Sequence, residues 1–343
     1  MAVSSQQDAD SLRACARQGE KYEYDGNIVI TPDASGDLDF RGHGDINGVV
    51  MADNNPLLKT LRFDHRPALD GPVSGFILKN LSSFVSLSSD VRVDADNLSL
   101  EALPLLETVN LPTSSIYGDI RLSKLPRLKA LQDLPKYGLR SKFIDIRDVG
   151  LNSLDSFFEI GYWNVSIFVA GIPNINSLSY SLFSAKTVSI SGNGNLSLVF
   201  NCSWCGDEGS KETRTLSTQY LTVSGLSSIS RNYDHQGRVY PTLTVGSLRA
   251  VGNSFKTLDI DFADLKNLTV QDNPNLEGFR FNGNASNYSW SDIVITGNPK
   301  LRLNSSANID QTGAIFNTYP TFFWPANDTS SMVFQGAFSN EFL

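Results

Sequence analysis

A chain of 343 residues with 41% apolar residues holds ample material for a core, which excludes a disordered polymer. Its formal net charge of −8 gives nucleic acid and anionic lipid no electrostatic hold, so no nucleic-acid partner is expected. Charged residues amount to 19%, while Asn, Ser and Gly are plentiful, the balance of a turn-rich secreted protein rather than a helical cytosolic one.

The first stretch, Met1 to Glu20, has no apolar h-region, and no run in the chain reaches the roughly 18–20 apolar residues of a membrane span. Asp8 to Gln18 suits a short helix, with Ser11 or Asp8 as its N-cap. Residues 1–25 are read as an N-terminal cap over the open end of a repeat array that begins at Gly26.

From Gly26 onward one phrase recurs. Its clearest copies are Leu268-Thr-Val270-Gln-Asp272-Asn273-Pro274-Asn-Leu276 and, 25 residues later, Ile293-Val-Ile295-Thr-Gly297-Asn298-Pro299-Lys-Leu301. Apolar residues spaced by two share one face of a strand, and Gly or Asp followed by Asn-Pro ends that strand in a turn. A single unit cannot bury its apolar face, whereas stacked units can, so the repeat predicts a solenoid. First positions fall at Ile28, Val49, Phe76, Leu98, Ile120, Ile144, Ile167, Val188, Leu221, Leu248, Leu268 and Ile293, with spacings of 20 to 33 residues. The expected fold is mainly β, a right-handed parallel β solenoid of receptor L-domain or leucine-rich-repeat-like type with about twelve coils over residues 26–304. A division into two lobes is expected near residue 160, and residues 305–343 are read as a C-terminal cap and tail.

The sixth position of the phrase is Asn at Asn54, Asn193, Asn253, Asn273 and Asn298 and apolar in the middle coils, for example Leu81, Leu103 and Leu125. An inward Asn bonds the backbone of neighbouring coils where a turn would otherwise leave groups unpaired. The phrase, the opening Asp8-Ala-Asp-Ser-Leu-Arg-Ala-Cys15 and the run Gly26-Asn-Ile-Val-Ile-Thr-Pro-Asp-Ala-Ser-Gly36-Asp-Leu-Asp-Phe40 together resemble the fungal cell-wall organisation and sporulation-specific wall protein family. That resemblance implies receptor L-domain-like repeats, a GPI anchor in most members and a place at the cell surface or wall. It also implies that a cysteine preceding the N-terminal cap would pair with Cys15.

N-x-[S/T] sequons begin at Asn80, Asn97, Asn164, Asn195, Asn201, Asn267, Asn284, Asn287, Asn304 and Asn327. Chance would give about five, and none of the Asn residues at the sixth position begins one, as expected if glycan-bearing Asn must face solvent. The sequons favour a chain whose secretion and anchor segments lie outside this sequence, so contact with a membrane is expected only through such an anchor. Cys202-Ser-Trp-Cys205 reads as a local disulfide in the polar insertion Asn201 to Arg214. With only His43, His65 and His235 available beyond it, no metal site and no cofactor are expected.

Arg41-Gly-His43-Gly-Asp45 resembles a turn of pectin-hydrolysing β-helix enzymes, but such catalysis needs two carboxylates facing each other across the sugar bond. The outward middle positions of the coils supply only Asp145. The Tyr319-to-Pro325 aromatic cluster is read as part of the C-terminal cap. The sequence therefore predicts a non-enzymatic, secreted glycoprotein that presents a rigid surface to a cell-wall polysaccharide or a cell-surface protein. The alternatives are a carbohydrate-active β-helix enzyme and a leucine-rich-type receptor ectodomain with a protein ligand.

Overall fold

Two apolar side chains per strand, repeated coil after coil, are enough to build an apolar interior, and that is how this chain folds. The computed structural model describes residues 1–16, 23–42, 45–63, 73–89, 94–111, 115–116, 118–132, 141–154, 157, 164–180, 184–200, 215–231, 242–260, 262–263, 265–281, 292–301 and 332–335. It is a mainly β, repeating parallel β solenoid with a short N-terminal helix, Gln6–Ala16. Two compact units, Met1–Ile175 and Asn176–Leu343, divide it.

In the first unit, one parallel sheet stacks Ala2–Val3, Ile28–Ile30, Val49–Asp53, Gly75–Lys79, Asn97–Glu101, Asp119–Leu125, Phe143–Val149 and Val165–Ala170. The inward pairs Ile28/Ile30, Phe76/Leu78, Leu98/Leu100, Ile120/Leu122, Ile144/Ile146 and Ile167/Val169 are all buried. Each such side chain contributes roughly 1.5–3 kcal/mol. A second parallel sheet, Gly36–Asp39, Leu58–Phe63, Ser86–Ser89, Thr108–Asn110 and Ala130–Gln132, closes another side of the same interior. Leu38, Leu61, Leu87 and Val109 point inward from it. Phe40 and Phe63 stack with ring centroids 5.0 Å apart, and Phe76 meets Phe63 edge-on.

The second unit repeats the first sheet with Ser184–Phe200, Thr215–Arg231, Thr242–Val251, Asn267–Gln271, Asp292–Thr296 and Met332–Gln335. The last strand lies within the stretch read as cap and tail, and it pairs Met332 with Ile293.

The helix caps the first unit. Gln6 uses both ends of its amide on the edge strand of the second sheet, donating from Nε2 to the Asp39 carbonyl and accepting the Asp39 N–H, both at 2.8 Å. An unpaired strand edge is thereby satisfied by one side chain. The N-cap is Ser5, not Ser11 or Asp8. Asp8 stands three residues on and reaches back, its Oδ2 accepting the Ser4 and Ser5 N–H groups at 2.8 and 3.0 Å, a capping box.

The coils end by a common device. Asn54, Asn80, Ala102, Lys124, Asp148 and Asp272 have φ of 53 to 55°, and Gly171, Gly225, Gly252 and Gly297 have φ of 60 to 66°. Each is the fifth residue of its phrase. The left-handed turn reverses the alternation, so the sixth residue points inward instead of outward. This device corrects the second coil. Val50 and Ala52, not Val49 and Met51, are buried there, and Val50 pairs with Ile28 and Phe76. A shift of one residue exchanges the two faces of a strand.

Candidate functional site

The alternation within each coil decides which residues can meet a partner: inward positions hold the stack together, and outward positions face solvent. Among the expected inward asparagines, three form a ladder. Asn253, Asn273 and Asn298 are buried. The Oδ1 atoms of Asn253, Asn273 and Asn298 accept the N–H of Leu226, Asn253 and Asn273 at 3.0, 2.9 and 3.0 Å. Their Nδ2 groups donate to the Val223, Ala250 and Val270 carbonyls at 3.3, 3.2 and 2.9 Å. Each asparagine thus satisfies one donor and one acceptor of the preceding coil.

The other two are not inward. Asn54 is exposed because it is the fifth, left-handed residue of its coil. The inward residue is Asn55, fully buried, whose Nδ2 donates to the Thr31 and Ala34 carbonyls at 2.7 and 2.8 Å. Asn193 is also exposed. Its coil leaves the ladder after Ser191 and rejoins it at Leu196, which pairs with Leu226 and fills the inward sixth place.

Of the sequon asparagines, Asn80, Asn164 and Asn195 are exposed, while Asn97 and Asn267 are partly buried at the start of first-sheet strands. The Asn97 Oδ1 accepts the Asp119 N–H of the next coil at 3.2 Å. Asn201, Asn284, Asn287, Asn304 and Asn327 lie outside the described residues, as do Cys202, Cys205 and His43.

The outer face of the first sheet in the first unit carries alternating charge. Lys79 meets Glu101 at 3.3 Å, Arg121 meets Asp119 at 3.0 Å and Arg147 meets Asp145 at 2.7 Å. Asp53 accepts the Asn80 amide at 2.9 Å. All four of these carboxylates are therefore partnered. Arg121 also lies over the Phe143 ring, 5.0 Å from its centroid, and Phe143 contacts Phe168 at 5.5 Å. Beyond this cluster the middle column runs through Val29, Met51 and Ile77, with Val29 42% exposed. The same column in the second unit is Ser189, Thr222, Arg249, Thr269 and Val294. Sequence reasoning put Asp145 on the outer face but missed its partner, because Arg147 lies two residues along the same strand and not on a neighbouring coil.

No family model, curated protein or solved structure matches the chain.

The chemistry open to the outer face is set by its pairing. An acid–base couple for glycoside hydrolysis needs one carboxyl held protonated and a second free to act across the bond, about 5–10 Å away. Here each of the four acids is bonded to its own cation or amide. Among the described residues, no group of three or more His, Cys, Asp or Glu side chains could hold a metal ion. The arrangement suits contact over an area: a charge-balanced aromatic patch next to an apolar column, held by a rigid ladder.

Proposed function

We propose that this chain is a non-enzymatic, N-glycosylated scaffold of the cell surface or cell wall, binding wall polysaccharide or a surface protein through the outer faces of its coils. The observation that carries the reading is the self-paired outer face of the first unit, where Lys79–Glu101, Arg121–Asp119 and Arg147–Asp145 cancel one another. Such a face has little net field and does not select a strongly charged ligand. Its half-buried rings, Phe143 and Phe168, and its planar polar groups suit a neutral polymer. The resemblance of the repeat to fungal wall-organisation proteins points the same way, as do the exposed sequon residues Asn80, Asn164 and Asn195. In this reading, glycans keep the faces that carry them solvated.

The test is co-sedimentation of the purified chain with insoluble β-glucan, chitin and mannan, and with intact fungal walls. The scaffold pellets with at least one of them and is released without shortening it. A chain left in the supernatant in every case overturns the reading.

A further inference from the structure

Among the described residues, two asparagines precede a glycine: Asn47 and Asn193. Such pairs are open to self-modification, because glycine has no side chain to shield its backbone nitrogen or limit the rotation that brings it to the asparagine carbonyl. The two sites are held very differently. Asn47 is a ladder residue paired with Asp25, and its Nδ2 donates to the Asp25 carboxylate at 2.9 Å. Gly48 is pressed against the neighbouring coil so closely that a Cβ there would stand 2.0 Å from the Gly26 carbonyl oxygen. Asn193 is exposed, in the excursion between Ser191 and Leu196 where the register with the next strand breaks. Gly194 has φ of +93°, and a Cβ there would meet nothing within 4 Å. The Asn193 Oδ1 accepts the Asn195 N–H at 3.1 Å, which draws electron density from Cγ and favours nucleophilic attack there.

We propose that Asn193 is a site of spontaneous succinimide formation in the folded protein, and so of conversion to aspartate and isoaspartate. The Gly194 nitrogen loses its proton and attacks Asn193 Cγ. The new N–Cγ bond closes a five-membered ring as the Cγ–Nδ2 bond breaks, and Nδ2 leaves as ammonia. Water then opens the ring at either carbonyl, giving aspartate or, with one more carbon in the main chain, isoaspartate. One water is consumed, one ammonia is released and nothing is oxidised or reduced. Each event adds one negative charge. The isoaspartate product lengthens a loop tethered by the Ser254 hydroxyl, which donates to the Gly194 carbonyl at 2.9 Å.

The test uses the full chain made in a host that adds no N-glycans, held folded at mildly alkaline pH and then mapped by mass spectrometry. The peptide carrying Asn193 gains about one mass unit and separates into aspartate and isoaspartate forms, with release of ammonia. Asn193→Gln abolishes the shift. The Asn47 peptide stays unchanged until denaturant is added and then converts, because its protection is structural. Conversion of Asn47 as fast as Asn193 in the folded chain overturns the proposal, as does an Asn193 peptide that converts only in denaturant.

Discussion

Asn273 shows how much one residue carries in this fold. Its Oδ1 accepts the Asn253 N–H, and its Nδ2 donates to the Ala250 carbonyl in a site closed to water. Asn273→Ala leaves both backbone groups unpaired and should destabilise by about 1–3 kcal/mol. Asn193→Ala, exposed and outside the ladder, should change little. Denaturant melts of the two variants check this, and equal losses would deny the ladder any special part in stability. Ala102 makes the opposite case. It holds φ of 53°, between Asn80 and Lys124 in the stack of turns. Ala102→Gly relieves that strain and should stabilise by up to about 1 kcal/mol, against the usual direction for such a change. A lower melting temperature for this variant would contradict the turn geometry. The ladder was legible at Asn273 and Asn298, where Pro follows and fixes the turn. It was not legible at Asn54, because Val49-Val50-Met51-Ala52 is apolar in both alternations. Period two cannot choose a face there; the left-handed turn does.

Among the elements, the N-terminal helix depends on two polar side chains rather than on its own propensity. Hydrogen bonds from the Ser4 N–H first, then from the Ser4 and Ser5 hydroxyls, hold the Asp8 carboxyl below its usual range. A depressed carboxyl contributes stability above its unfolded pKa and loses it as pH falls through the folded value. Asp8→Asn should therefore lower the melting temperature at neutral pH, and the gap to the parent should close in acid. A gap that stays constant with pH would show that the capping carboxylate is not responsible. Gln6→Ala removes both bonds to Asp39 and should cost roughly 1–3 kcal/mol, read as early loss of protection at Gly36–Asp39 in hydrogen exchange. The first sheet could be read from the phrase because two inward positions repeat at a near-regular spacing. The second sheet could not. Ser86–Ser89 and Thr108–Asn110 are short and expose mostly Ser, Thr and Asn, and Leu87 or Val109 alone makes no pattern. The strand Met332–Gln335 was missed because it comes after a long stretch without the phrase.

At the scale of the whole chain, the repeat fixes a stack whose inward residues are spent on cohesion and whose outward residues are free to vary. Such a fold supports many functions, so function must be argued from the outer surface. On that surface Asp145 is the acid at the middle of the first-sheet face, and Arg147 occupies it at 2.7 Å. An exposed pair of this kind adds little stability, and it gives the Asp145 carboxylate a cation of its own strand as partner. The central claim, that the chain binds wall polymer without cutting it, is tested by incubating the purified protein with β-glucan, chitin, mannan and pectin. Bound protein and new reducing ends are measured in the same tubes. A scaffold gives saturable binding and no reducing ends above the polymer blank. Turnover that disappears in Asp145→Asn or His43→Ala would contradict it.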